Sequence, residues 1–99
     1  MSKSGLTPYQ DECLEILVEE CGEVIQEKSK IFRFSAAATS WHHPEKTHAE
    51  CLETELGDLL AMIELVQLSG IGVSKAGMEV AKQAKLQKVL KWMTHKKED

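Results

Sequence analysis

From Leu59 to Leu68 the apolar residues Leu59, Leu60, Ala61, Met62, Ile63, Leu65, Val66 and Leu68 point almost all the way round a helix. A helix that is apolar on every side is buried on every side, and a chain of 99 residues has too few other helices to surround it. The segment therefore requires a second copy of the chain. The expected architecture is all-α, with three main helices forming a bundle that is completed by homo-oligomerisation, as a dimer or tetramer. A single domain of this length is only marginally stable on a core of its own, which points the same way.

Capping and breaking residues delimit the three helices. Thr7 is an N-cap with Pro8 at the first helical position and Gln10 at the capping-box position, so helix 1 runs from Pro8 to about Phe34. Its last turns are basic, with Lys28, Lys30 and Arg33. Ser35 to His43 reads as a loop, and Pro44 disfavours helix in the residue before it. Helix 2 begins near Pro44 to Thr47 and continues to about Ser69, where Gly70-Ile71-Gly72 ends it. Ser74 caps helix 3, which runs to about Thr94 before a charged tail, His95 to Asp99. No β-alternation or internal repeat is visible.

Charge and composition exclude several classes of function. A net charge of −4 and a pI near 5.6 give no basic footprint for nucleic acid. No stretch reaches the ~20 apolar residues of a membrane span, and Met1 to Tyr9 has no apolar run of signal-peptide length. The three cysteines, Cys13, Cys21 and Cys51, form no CxxC pair and suit a reducing compartment. The expectation is a soluble cytoplasmic protein with no nucleic-acid or membrane partner.

Acidic residues on the apolar faces carry the chemistry. Counted from Cys13 at about 100° per residue, Ile16, Leu17, Cys21, Val24 and Ile25 span an arc from about 300° to about 120°. Glu20 lies at about 340°, inside it, and Glu23 at about 280°, at its edge. Counted from Leu52 in the same way, Glu55 falls at about 300°, inside the arc of helix 2, and Asp58 at about 240°, just outside. Gathered carboxylates repel one another and lose hydration, so a fold that collects them needs a cation. Glu12, Glu15 and Glu19 lie on the opposite face and serve solubility. Glu27, at about 320° on helix 1, is a further acidic participant or a salt bridge at a subunit interface.

Glu19-Glu20-Cys21-Gly22-Glu23 followed by Glu55-Leu56-Gly57-Asp58 resembles the EExxE and ExxD motifs of the MazG-like, all-α nucleoside triphosphate pyrophosphatases. That superfamily also holds dimeric dUTPases and phosphoribosyl-ATP pyrophosphatases. Ser29-Lys30-Ile31-Phe32-Arg33-Phe34 is similar to the SKxxRF continuation of many small members, although where those often continue with Gly this chain has Ser35. The resemblance runs from about Pro8 to Trp92. It implies hydrolysis of a nucleoside triphosphate between the α and β phosphates, giving a monophosphate and pyrophosphate, with Mg²⁺ as cofactor and Mn²⁺ as a substitute. By motif position Glu20, Glu23, Glu55 and Asp58 are the implied metal ligands, and Glu20 and Glu23 the implied catalytic residues.

Mg²⁺ suits such a site, because it prefers carboxylate and water oxygens and leaves positions for phosphates. The expected chemistry is polarisation of the α-phosphate and activation of a water, whose proton a carboxylate takes. Lys30 and Arg33 would offset phosphate charge, and Lys85 and Lys88, with Lys82 at helical spacing, would do so from helix 3. Lys30 and Arg33 also favour the C-terminal dipole of helix 1 in any case. The loop after helix 1 is the expected wall for a base. His42, His43, His48 and Cys51 form a rival zinc set in which only His48 and Cys51 share a tight spacing. A carboxylate-bridged di-iron bundle would need Glu-x-x-His on two helices, and the chain has it once, at Glu45 and His48. The alternative outside enzymology is a helical dimer that binds metal or nucleotide without turning it over.

Overall fold

The structure is a computed structural model that describes residues 3–97. Among the described residues the chain is all-helical, with α1 spanning Pro8–Phe34, α2 spanning His48–Leu68 and α3 spanning Lys75–Trp92. An isolated antiparallel bridge joins Thr39 to Thr47. Among the described residues no helix is long and apolar enough to cross a membrane.

Each helix starts on a side-chain cap. The Thr7 hydroxyl accepts from the Gln10 N–H at 3.2 Å and Gln10 Oε1 accepts from the Thr7 N–H at 3.0 Å, a reciprocal box that satisfies two otherwise orphaned donors. Thr47 and Glu50 repeat it at α2, with bonds of 3.1 and 3.0 Å. At α3 the Ser74 hydroxyl accepts from the Gly77 N–H at 2.9 Å.

The start of α2 also explains the long connection before it. The His48 N–H donates to the Ala38 carbonyl at 2.9 Å and the Ala49 N–H to the Ala36 carbonyl at 3.0 Å. With the Thr47 side chain and carbonyl serving Glu50 and Cys51, all four leading amides of α2 are satisfied. Within the loop the Ser40 N–H donates to the Lys46 carbonyl and the Lys46 N–H to the His43 carbonyl, both at 2.9 Å. Pro44 to Lys46 therefore stay in the loop, and α2 begins at the late limit of the expected window. The far ends of α2 and α3 fall within the fraying of one or two residues usual for helices.

α1 and α2 lie antiparallel and pack along each other. At one end Gln10 Nε2 donates to the Ser69 carbonyl at 2.9 Å, beside Gly70, whose φ of 84° turns the chain away. At the other end the rings of Phe34 and His48 stack with centroids 5.6 Å apart. Cys13, Cys51 and Val66 are buried in the seam between these ends. α3 packs along neither helix and buries none of its residues. Its N-terminal part meets α2 where the Gln67 amide donates to the Met78 sulfur at 3.0 Å.

Candidate metal centre and adjoining cavity

Antiparallel pairing sets the middle of α1 against the middle of α2, and with them the two acidic motifs. Carboxylate oxygens of Glu20, Glu55 and Asp58 lie within 4.8 Å of one another. Glu20 and Glu55 are half-buried and Asp58 is exposed, so the group sits at the rim of the seam. Glu20 Oε2 is shielded from solvent and has no hydrogen-bond partner. Two unit charges at such a separation repel by about 3–4 kcal/mol at an effective dielectric near 20. Burial, followed by the charges of Asp58, Glu23, Glu20 and Glu27, accordingly pushes the Glu55 carboxyl above its ordinary pKa. An unpartnered shielded oxygen and a crowded carboxylate set both fit a hard divalent cation, which prefers oxygen ligands and compensates their charge.

Glu23 stands apart from this group. It is exposed, and only through its charge does it act on Glu55. Asp58, the weakest of the four by helical angle, is a full member. An angle on the wheel gives the direction in which a side chain leaves the helix, whereas the group forms at the open edge of the seam, where the short Asp58 side chain reaches it.

Two turns beyond Glu23, Lys30 and Arg33 open onto a cavity of about 890 Å³ walled by Phe34, Trp41, Ser40 and His48. Lys30 Nζ bonds Glu27 Oε1 at 3.2 Å, and the Arg33 guanidinium lies 4.9 Å from the Phe34 ring. Trp41 is exposed at the mouth, while Ser40 and His48 are buried. The cavity thus offers aromatic faces and two cations at the Phe34 and His48 end of the α1–α2 groove, whereas the three clustered carboxylates lie nearer the middle of the two helices and do not line it. Lys85 and Lys88 are exposed on α3, and because α3 packs on neither helix they are not brought to this groove within one chain.

The rival histidine and cysteine set is not gathered. His48 is stacked on Phe34, His43 Nδ1 lies 3.6 Å from Glu45 Oε1, and His42 opens onto the cavity. All three cysteines are free, with Cys13 and Cys51 buried and Cys21 exposed. Sequence reasoning reached the loop as a wall but missed His48 as the floor. The T-x-x-E box at Thr47 and Glu50 was the available signal, because it puts His48 at the first position of α2, next to the loop that caps it. No family model, curated protein or solved structure matches the chain.

Proposed function

We propose that the chain is a Mg²⁺-dependent nucleoside triphosphate pyrophosphohydrolase of the MazG-like kind, acting in the cytoplasm as a homo-oligomer and releasing a (deoxy)nucleoside monophosphate and pyrophosphate. One observation carries this reading: Glu20 of α1 meets Glu55 and Asp58 of α2 within 4.8 Å, on the same pair of helices whose Phe34 and His48 end borders a cationic and aromatic cavity. A nucleoside triphosphate has the complementary form, an anionic tail that a cation can grip and an aromatic base.

Glu20, Glu55 and Asp58 hold the ion in this reading, and Glu23 adds negative charge from the next turn. When bound, Mg²⁺ (or Mn²⁺ in its place) neutralises phosphate oxygens and acidifies water. With Glu20 Oε2, shielded and otherwise without a partner, taken up by the ion, Glu23 of the next turn is the carboxylate left to accept the proton of the attacking water. Lys30 and Arg33 offset the remaining phosphate charge, and Trp41, Phe34 and His48 border the nucleoside.

Surface area supports the oligomer. The chain exposes 8001 Å², whereas a compact monomer of its mass exposes about 5,700 Å². The excess of about 2,300 Å² per chain falls, for a pair, in the range of obligate dimer interfaces. The radius of gyration, 16.8 Å, exceeds the roughly 13 Å of a compact domain of this length.

Pyrophosphate release, measured over a panel of ribo- and deoxyribonucleoside triphosphates in Mg²⁺ and then in chelator, tests the proposal. The expected result is turnover of at least one triphosphate that chelator abolishes and that Glu20→Gln and Asp58→Asn each remove while the assembly persists. If no triphosphate is cleaved but Mg²⁺ still raises the unfolding temperature, the chain is instead a metal- or nucleotide-binding module.

A further inference from the structure

Glu27 is the most deeply buried carboxylate among the described residues, with 7% of its surface exposed. Its Oε1 accepts from Lys30 Nζ at 3.2 Å, while its Oε2 is shielded from solvent and has no hydrogen-bond partner. A structural ion pair on one helix does not need this arrangement. Such i, i+3 pairs form readily on exposed faces, and burying a charged oxygen with nothing to bond is among the more expensive things a fold can do. Glu27 therefore has an unmet demand for a donor or a cation.

Its position says where that demand is directed. Glu20, Glu23 and Glu27 follow one another at i, i+3 and i+7, one stripe of α1. Side chains on a helix lean towards its N-terminus, so the Glu27 carboxylate lies back towards the turn of Glu23. Across the seam its charge acts on Glu55. On its other side Lys30 links it to the cavity. Glu27 thus stands between the three clustered carboxylates and the basic end of the groove.

We infer that Glu27 belongs to the cation centre, its Oε2 binding the divalent ion through water on the side nearest the cavity, with Lys30 as the internal cation that competes for the same carboxylate. This inference rests on the metal centre proposed above. It assigns Glu27 a positioning role, since it holds the ion without direct contact to the reacting phosphate. Lys30 then has two possible partners, and an ion that takes over Glu27 leaves the ammonium available to an anion in the cavity.

Mn²⁺ binding to the full chain, read from the free-ion electron paramagnetic resonance signal without nucleotide, tests this. Glu27→Gln is expected to weaken Mn²⁺ about tenfold or more, the range typical of outer partners of a metal site, and Lys30→Met to tighten it by removing the competing cation. Glu12→Gln, on the solvated face, should bind as the parent does. Unchanged affinity in Glu27→Gln, or weaker binding in Lys30→Met, overturns the inference. Failure of the two levels can be told apart. If the parent binds no Mn²⁺, the metal centre falls and Glu27 with it; if Glu20→Gln loses Mn²⁺ while Glu27→Gln does not, only the role of Glu27 falls.

Discussion

Glu55 is half-buried, with four acidic neighbours acting on it. Its carboxyl is raised by burial and then by Asp58, Glu23, Glu20 and Glu27, so the folded chain holds that proton more tightly than the unfolded one. Its contribution to stability is then complete below the unfolded pKa and is lost as pH rises through the folded value. In chelator, the unfolding midpoint of the parent should fall relative to that of Glu55→Gln as pH moves from mildly acid to neutral, and saturating Mg²⁺ should reverse the order of the two proteins. Glu50 works in the opposite sense. Bonds from Thr47 lower its pKa, so its contribution is present above the unfolded value and is lost as pH falls through the folded one. Both proteins share Glu50, and it cancels in the comparison. Ser35 poses a different problem: with φ 86° and ψ 158° it closes α1 in a region that glycine alone occupies readily. Ser35→Gly should therefore raise stability by about 1 kcal/mol, read by denaturant titration, even though it gives up the 3.3 Å bond from the Ala38 N–H.

Among the elements, α2 depends most on its first turn. Thr47 caps the helix, and the loop carbonyls of Ala36 and Ala38 occupy the amides that remain. Thr47→Ala should lower stability by about 1 kcal/mol, and amide exchange of His48 and Ala49 should accelerate with it, because the loop loses the turn on which it is seated. The helices themselves were legible in the sequence. Thr7, Pro8, Gln10, Ser74 and the Gly70–Gly72 turn act locally, and local chemistry can be read without knowing the fold. Glu20 and Glu55 were legible for a related reason, since a carboxylate inside an apolar arc has nowhere to go but a seam. The cavity was only half legible: its walls depend on hydrogen bonds between Ala36–Lys46 and α2 that no spacing encodes. Angle ranked Glu23 and Asp58 the wrong way round: Asp58, just outside its arc, joins the group, whereas Glu23, at the edge of its own, does not. Lys85 and Lys88 could not be placed from spacing, because α3 packs along neither α1 nor α2.

At the scale of the molecule, apolar surface is left on every helix. Ile25 is 66% exposed, Leu60 67% and Val80 72%, and the helix that is apolar all round is packed along its length by α1 alone. The second copy proposed above would cover the open side of α2. Leu60→Glu, which places a charge on the open side of α2, should convert the assembly to monomers in sedimentation and lower the midpoint of thermal unfolding. Glu64→Gln, at a position of the same helix that is already polar and exposed, should do neither. The detachment of α3 carries a further consequence for any chemistry in the groove. In the proposed oligomer, lysines on an arm that lies away from its own acids would reach only a neighbour's, so each catalytic unit would be shared between molecules, and its output per chain would fade on dilution.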